Sequence, residues 1–143
     1  MKLYLDSSVL VAAFSPEAFT NRALAILNLS SEVVISELTL TETRISLIRK
    51  RKRGAMTAGE VVSALTELSS AIADGLLLVE PLPAAAFRAA EGIADRVPGP
   101  VRAMDALHLG MASILSAELA TFDTDQAAAA KAEGIFTHTE SAP

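Results

Sequence analysis

Short apolar runs alternate along the chain with longer stretches in which apolar residues recur at helical spacing. The runs have the length of β-strands and lie at residues 3–5, 33–35, 76–79, 118–123 and 135–137. The stretches between them predict helices at residues 9–14, 17–29, 37–48, 57–74, 83–97, 101–117 and 127–133. Strands that alternate with helices predict an α/β fold built on a parallel sheet with right-handed crossovers. The sequence has no internal repeat or domain boundary, so we interpret residues 1–143 as one domain.

The helix predicted after the second strand carries an acid among its apolar positions. The residues that recur there at helical spacing are Leu38, Thr41, Ile45 and Ile48. Glu42 lies four residues after the first of these and three before the third, so the spacing places its carboxylate on the same inward face. A carboxylate on a buried face is costly unless a positive group meets it. Glu42 is therefore a candidate functional residue.

The composition of the chain narrows the class of protein. A chain of 143 residues is long enough to bury a core, and it contains no cysteine for disulfides or thiolate metal sites. Its longest apolar run, at residues 9–14, is far shorter than the roughly 18 residues that a membrane span needs. The N-terminus also lacks the pattern of a secretory signal. We therefore expect a cytoplasmic protein with no membrane partner.

The net charge of -5 is unevenly distributed along the chain. Six of the twelve Lys and Arg residues lie between residues 44 and 53. Five of these six form one basic run, made up of Arg49, Lys50, Arg51, Lys52 and Arg53. The run is a candidate for binding an RNA backbone or an acidic part of a protein partner. The alternative is a solvated helix end whose cations complement the helix dipole.

Acidic residues stand at positions that a parallel sheet would bring together. Asp6 ends the first predicted strand and Asp123 ends the fourth, while Asp105 lies in the first turn of the helix before the fourth strand. If the first and fourth strands are neighbours, these acids and Glu42 meet in one crevice at the carboxyl edge of the sheet. Four carboxylates repel one another unless a cation lies among them. Oxygen ligands without cysteine predict Mg²⁺ or Mn²⁺ rather than Zn²⁺.

The same residues carry a resemblance to a known family. Residues 4–10 (YLDSSVL), Glu42, residues 105–109 (DALHL) and residues 121–125 (TFDTD) are similar in order and spacing to the signature of the PIN-domain family. Within it they look most like the VapC-type toxin ribonucleases of toxin-antitoxin pairs. The resemblance implies a five-stranded parallel sheet in the order 3-2-1-4-5 and metal-dependent hydrolysis of RNA phosphodiester bonds. It also implies a homodimer that a cognate VapB-type antitoxin neutralises.

The resemblance also implies roles for individual residues. The implied catalytic and metal-binding acids are Asp6, Glu42, Asp105 and Asp123. Asp125 is a further implied metal ligand, at a position where only some members of the family have an acid. Ser7 and Thr121 are the implied supporting hydroxyls. Cleavage of this type leaves a 5′-phosphate and a 3′-hydroxyl.

All of these acids except Glu42 also have an ordinary structural interpretation; an acid in the middle of a helix and on its inward face does not serve solubility. Asp6 suits a helix N-cap, and Asp105 suits the first turn of a helix, where an acid complements the dipole. The acids after the fourth strand suit an Asx turn. Of the two histidines, we interpret His108 as a packed or hydrogen-bonded helix residue and His138 as solvent-exposed.

Two other functions compete with the nuclease interpretation. A phosphatase that uses Asp6 as its nucleophile would need a second acid two residues later, where the chain has Ser8. A non-catalytic PIN scaffold would bind RNA or a protein partner without cutting it. That scaffold is expected to lack one or more of the acids, and all four are present.

Overall fold

A computed structural model describes residues 1–139 and contains a sheet in which every paired strand is parallel to its neighbour. The strands are β1 (Lys2–Leu5), β2 (Glu32–Ser36), β3 (Leu78–Glu80), β4 (Glu118–Ala120) and β5 (Thr137–His138). Their order across the sheet is β3-β2-β1-β4-β5. The α/β fold class and the strand order are therefore confirmed. The frayed end that the sequence predicts at residues 141–143 lies outside the described residues.

Seven helices lie within residues 1–139 and connect or flank these strands. They are α1 (Ser7–Phe14), α2 (Thr20–Leu27), α3 (Glu37–Lys52), α4 (Ala58–Ala73), α5 (Ala84–Arg96), α6 (Ala103–Ile114) and α7 (Thr124–Ala132). Ser36 caps α3 and Thr57 caps α4, each within a capping box. Helices α2 and α6 are shorter than predicted, whereas α3 continues through most of the basic run. None of the helices in this part of the chain is both long and apolar enough to cross a membrane.

The alternating side chains of the strands divide the core between the two faces of the sheet. On one face Leu3, Leu5 and Ile35 pack with residues of α1, α2 and α4. On the other face Tyr4 and Val34 pack with residues of α5, α6 and α7. The three residues of β1 in these clusters are completely buried. β1 thus occupies the centre of the molecule, as expected of a parallel sheet covered on both faces.

Strand β3 differs most from its prediction. The uninterrupted apolar run at residues 76–79 predicts a strand covered on both faces. The strand instead begins at Leu78 and lies at the edge of the sheet. Leu76 is 68% exposed and Leu78 is 42% exposed. The predicted burial is wrong because an edge strand has fewer neighbouring elements to cover it. The last strand is also displaced, since it starts at Thr137 rather than at residue 135. β4 is shorter than predicted, because it ends at Ala120 rather than at residue 123, and Asp123 caps the following helix instead of ending the strand.

The buried face of α3 is not the one that the apolar spacing predicts. Ile45 is 43% exposed and Ile48 is 36% exposed. The buried positions of this helix are Thr39, Leu40, Thr43 and Leu47. The threonines are buried because their hydroxyls are satisfied, and that of Thr39 donates to the Leu5 carbonyl at 3.0 Å. Glu42 lies beside this face, with 23% of its side chain exposed, rather than among inward-facing isoleucines.

Helices α5 and α6 approach each other closely at Gly110. A Cβ atom there would lie 2.6 Å from the carbonyl oxygen of Ala86 and 3.0 Å from the amide nitrogen of Ala90, both in α5. Backbone atoms of a packed helix cannot give way as a flexible side chain can, so the contact requires glycine. Because α6 also carries Asp105, this contact helps to set the position of that acid.

We predict that Gly110→Ala lowers the free energy of unfolding by roughly 1–3 kcal/mol, because the added methyl group overpacks the α5–α6 contact. Gly59→Ala in α4 is the control, since a Cβ there would have only the Thr57 hydroxyl oxygen nearby, at 3.9 Å. Alanine is the better helix former, so the control should be unchanged or gain up to about 1 kcal/mol. Urea denaturation followed by circular dichroism measures both variants. Equal stabilities would contradict the close contact.

Candidate active site

The candidate acids gather where β1 and β4 end. The two strands are parallel neighbours with Leu5 opposite Ala120, and the Asp6 amide donates to the Ala120 carbonyl at 3.1 Å. Asp6 caps α1 and Asp123 caps α7, so both acids stand at the carboxyl edge of the sheet. The condition on which the sequence predicted a common site, adjacency of the first and fourth strands, is met.

Asp6 is the most buried of these acids, with 5% of the residue exposed. Its Oδ1 accepts hydrogen bonds from the Ser8 amide at 3.0 Å, the Ser8 hydroxyl at 2.6 Å and the Val9 amide at 3.4 Å. Its Oδ2 accepts a hydrogen bond from the Thr121 hydroxyl. The hydroxyls on Asp6 thus belong to Thr121, one of the two implied supporting residues, and to Ser8, which the sequence did not indicate; the supporting role of Ser7 stays a prediction.

Burial controls the protonation of Asp6. The loss of surrounding water raises the pKa of its carboxyl above the ordinary value of 3.8. Hydrogen bonds from Ser8 and Thr121 and the electrostatic influence of His108 act in the opposite direction without cancelling the effect of burial. A nearby cation would therefore stabilise the charged form of this side chain.

Asp105 and Asp123 line one cleft, with a volume of about 360 Å³. Asp125 lines the same cleft. Partial burial raises the pKa of Asp105, and the negative charge of Asp123 raises it further. The charges of Asp6 and Glu42 act in the same direction, with smaller effects. All four predicted acids therefore influence one electrostatic environment.

Gln126 ties the two helices of this cleft together. The side-chain Nε2 of Gln126 donates to the backbone carbonyl oxygen of Asp105 at 3.3 Å. The backbone amide of Gln126 donates to Asp123 Oδ1 at 3.1 Å. The residue is 2% exposed. Its side-chain Oε1 is buried and has no hydrogen-bond partner among residues 1–139. The cleft thus contains an unpaired acceptor beside two acids, a feature that the sequence alone did not indicate.

Glu42 is reached through a buried chain of hydrogen bonds. His108 Nε2 lies 2.5 Å from Glu42 Oε1, and His108 Nδ1 lies 2.7 Å from the Tyr4 hydroxyl. A carboxylate can only accept, so His108 Nε2 donates to Glu42 Oε1. The Tyr4 oxygen also lies 2.8 Å from Ser36 Oγ and 3.2 Å from Thr39 Oγ1. Burial raises the pKa of the Tyr4 hydroxyl.

The prediction for His108 is confirmed, that for His138 is wrong, and the role of Tyr4 was not predicted. His108 is 2% exposed and hydrogen-bonded, as predicted. His138 is not solvent-exposed as expected, because its side chain is 17% exposed and Nε2 lies 2.7 Å from Glu118 Oε1. The hydrogen-bonding role of Tyr4 was missed. A tyrosine within a buried strand was the available signal, since a buried hydroxyl needs a partner.

The basic run of residues 49–53 lies in the last turn and at the C-cap of α3. Lys50 does not extend freely with the others. Its Nζ lies 2.8 Å from Glu17 Oε2 and donates to Ser15 Oγ at 3.0 Å. The other four cations of the run are exposed. None of these four residues lines the cleft of Asp105 and Asp123. They remain candidates for contact with an anion outside that cleft.

A family comparison agrees with this arrangement. The sequence model of the PIN domain matches residues 3–132, a span that contains all four candidate acids. The chain belongs to the PIN domain family. No curated protein matches the sequence of this PIN domain.

Several solved structures share the fold of this PIN domain. VapC20 of Mycobacterium tuberculosis, described as a sarcin-ricin loop cleaving toxin, has a TM-score of 0.66 and 19% identity over 90% of this chain and 95% of its own. FitAcB from Neisseria gonorrhoeae has a TM-score of 0.64 and 19% identity, covering 94% and 95%. VapBC2 from Rickettsia felis, bound to promoter DNA, has a TM-score of 0.66 and 14% identity, covering 96% and 98%. At these identities the likeness establishes the fold.

The donor groups of this PIN domain suit a hard cation, although they are not assembled around one. Within residues 1–139, no three His, Asp or Glu side chains are arranged to hold a metal ion. Both oxygens of Asp6 accept hydrogen bonds from the protein, and an oxygen of Glu42 is bound by His108. The free Oε1 of Gln126 and the raised pKa of Asp105 both fit an ion that keeps several water ligands.

We predict that Asp6→Asn weakens the pH dependence of stability. A raised pKa means that the folded protein holds this proton more tightly than the unfolded chain. This difference contributes its full amount to the free energy of unfolding at pH values below 3.8, the ordinary pKa of the carboxyl. The contribution is lost as the pH rises through the raised pKa of the folded protein. In EDTA, the free energy of unfolding should fall less steeply from acid to neutral pH in the variant than in the wild type. Asparagine retains the oxygen that caps α1, so the fold should persist.

Urea titrations at several pH values measure this difference. Asp105 has a raised pKa as well, so the slope should become shallower without vanishing. Asp95→Asn, on the exposed side of α5, is the control and should keep the wild-type slope. An Asp6→Asn protein with the same slope as the wild type would contradict the effect that we ascribe to burial.

His108→Ala should lower the free energy of unfolding by roughly 1–3 kcal/mol, because the buried Tyr4 hydroxyl and Glu42 lose a shared partner. His138→Ala is a matched control, since it breaks a second histidine–glutamate pair, with Glu118, at a more exposed site. The control should lose less than about 1 kcal/mol. Denaturant midpoints report both values. Equal losses would argue against the buried chain of hydrogen bonds.

Proposed function

We propose that this PIN domain, comprising residues 1–143, is a metal-dependent endoribonuclease and the toxin of a VapBC-type pair. The observation that carries the proposal is that Asp105 and Asp123 line one cleft, close to Asp6 at the end of β1. Burial raises the pKa of Asp105, and the charges of Asp123 and Asp6 raise it further. Membership of the PIN domain family supports nuclease chemistry, and the fold shared with VapC20 supports the toxin assignment.

The four acids would divide the work of hydrolysis. Asp6, Asp105 and Asp123 would hold one or two Mg²⁺ or Mn²⁺ ions, with Glu42 bound directly or through water. Such an ion, when bound, activates water and offsets charge on a phosphate. Ser8 and Thr121 hold the Asp6 carboxylate in place by their hydrogen bonds.

Proton transfer would fall to a carboxylate of the acid cluster, which would accept the proton of the attacking water at an oxygen that holds no metal ion. His108 keeps Glu42 oriented through Nε2 while this occurs. The RNA products would carry a 5′-phosphate and a 3′-hydroxyl.

Partners follow from the same proposal. A VapB-type antitoxin would neutralise the enzyme, as the VapBC2 structure with a similar fold suggests. The exposed cations Arg49, Arg51, Lys52 and Arg53 would contact the RNA backbone or an acidic part of the antitoxin. Lys50 would contribute less, because it is paired with Glu17. A homodimer that acts in the cytoplasm completes the proposal.

One observation favours the non-catalytic scaffold, whereas several observations disfavour the phosphatase. A non-catalytic scaffold would fit the lack of an assembled metal site within residues 1–139. An Asp-nucleophile phosphatase is disfavoured because Asp6 is 5% exposed and both of its oxygens already accept hydrogen bonds. Ser8 also stands where that chemistry needs a second acid.

Cleavage of a panel of defined RNAs by the antitoxin-free protein tests the nuclease. We expect cutting in Mg²⁺ or Mn²⁺ that EDTA abolishes. Asp105→Asn should reduce the rate by roughly 100-fold or more, because it removes one carboxylate of the cluster that holds the metal ion and accepts the proton. Asp95→Asn, the same substitution on the exposed side of α5, should cut at the wild-type rate.

Calorimetric titration with Mg²⁺ or Mn²⁺ separates the alternatives when no RNA is cut. Binding that Asp105→Asn weakens, without cleavage, would keep the nuclease and indicate that the panel lacked its substrate. An absence of both cleavage and metal binding would instead favour the scaffold. A phosphorylated Asp6 trapped by mass spectrometry would favour the phosphatase.

A further inference from the structure

Two aromatic rings and a guanidinium group form a cluster beside the candidate active site. The ring centroids of Phe19 and Phe122 are 5.2 Å apart, and their planes are tilted by 35°. The guanidinium carbon of Arg22 lies 5.1 Å from the first centroid and 5.9 Å from the second. Both distances are within the reach of a cation–π interaction. We call these three residues the aromatic cluster.

The two phenylalanines of the aromatic cluster line a second cleft at the edge of the sheet. This cleft has a volume of about 360 Å³ and is also lined by Ser7, Val11 and Asp123. Asp123 lines the cleft of Asp105 as well, so the two clefts share one carboxylate. Each volume falls within the range of about 300–1,000 Å³ that is typical of small-molecule sites. An extended ligand that crosses Asp123 would enter both clefts.

Within residues 1–139, Phe19 is not among the residues that form the hydrophobic core or pack against it. It is 42% exposed, and it precedes α2 without forming a side-chain cap. Phe122, by contrast, packs partly against the core. A single exposed phenylalanine is common on protein surfaces and indicates nothing by itself. Phe19 differs because a second ring and a cation hold it within a cleft that contains a candidate catalytic acid.

The polar groups of the second cleft suit a nucleoside better than another phosphate. A phosphate there would meet Asp123 and Glu17, and the only described counter-ion of Glu17 is Lys50, at 2.8 Å. Ser7 and Ser46 line the cleft, and neither hydroxyl makes a side-chain hydrogen bond within residues 1–139. A hydroxyl donates and accepts, as recognition of base edges and of the ribose 2′-hydroxyl requires.

We propose that the aromatic cluster is a nucleobase subsite for unpaired RNA. This inference rests on the proposed function, because the phosphate to be cut would lie at the cleft of Asp105 and Asp123. The base of an adjacent nucleotide stacks on Phe19, which Phe122 and Arg22 hold in place. Stacking tolerates any base but requires an unstacked one, so the subsite selects single-stranded RNA.

Tryptophan fluorescence tests the contact directly, because the chain contains no tryptophan. Phe19→Trp places a reporter in the aromatic cluster. Phe87→Trp is the matched control, since Phe87 on α5 has the same 42% exposure. Both are made together with Asp105→Asn, so that RNA is not cut. A single-stranded oligoadenylate of about eight nucleotides should quench the emission of the first protein and leave the second unchanged.

Affinity measurements test the energetic role of the ring. Phe19→Leu keeps apolar bulk and removes the aromatic face, so the Kd for the oligoadenylate should rise about 5-fold to 100-fold. Phe87→Leu should leave the Kd unchanged, and Phe19→Tyr should retain most of the affinity. An abasic oligomer of the same length carries the backbone alone. It should bind more weakly than the oligoadenylate and with equal affinity to the parent and to Phe19→Leu.

The outcomes separate the subsite from the nuclease. Wild-type cleavage of RNA combined with an unchanged Kd in Phe19→Leu would overturn the subsite and leave the nuclease in place. Equal quenching of both reporters, or equal binding of the abasic and adenylate oligomers, would also overturn the subsite alone. A wild-type protein that neither binds nor cuts any RNA would overturn both proposals. Phe19→Tyr distinguishes the loss of the aromatic face from general damage to the fold.

Discussion

The candidate site depends on one buried carboxylate at the end of the central strand. Asp6 lies where β1 ends and α1 begins, and desolvation penalises its charge. Donors from two parts of the chain offset this penalty: Ser8 belongs to α1, and Thr121 follows β4. The bonds that compensate the charge therefore also join α1 to the end of β4. The side chain of Asp6 thus both links these two parts of the fold and is a candidate catalytic group.

A second network holds Glu42, the candidate acid on α3. Tyr4 points from β1 into the face covered by α5, α6 and α7, where its hydroxyl contacts His108. The imidazole passes this constraint to Glu42 on α3. Because Tyr4 also contacts Ser36 and Thr39, the start of α3 and the middle of α6 are tied to the same strand. Tyr4 and Leu5 thus pack on opposite faces of the sheet, and Asp6, the next residue, lies at its carboxyl edge.

Local patterns account for the parts of the fold that were predicted. Strand-length apolar runs ending in acids are contiguous in sequence, so the parallel sheet and the neighbourhood of Asp6 and Asp123 followed from them. The prediction of which face of α3 is buried was wrong for a physical reason. Thr39 is buried because its hydroxyl reaches the Leu5 carbonyl, 34 residues away, and no local pattern carries that contact.

Local geometry and long-range contacts both explain what was missed in the site. The hydroxyl of Ser8 reaches Asp6 because Asp6 caps α1, a detail of the helix start that the sequence pattern does not specify. Gln126 has an unpaired oxygen only because α6 and α7 meet around it. The aromatic cluster joins residues from α2 and from the segment after β4, so neither phenylalanine was conspicuous in the sequence.

The two capping acids have a consequence for how phosphate could be bound. The start of a helix is ordinarily a ready receptor for anions, since its free amides and its dipole both favour negative charge. Here the amides of Ser8 and Val9 bind Asp6, and those of Asp125 and Gln126 bind Asp123. The protein's own carboxylates thus fill both receptors. Phosphate arriving at this edge would meet carboxylates at both helix starts, so a cation would have to lie between the phosphate and these acids.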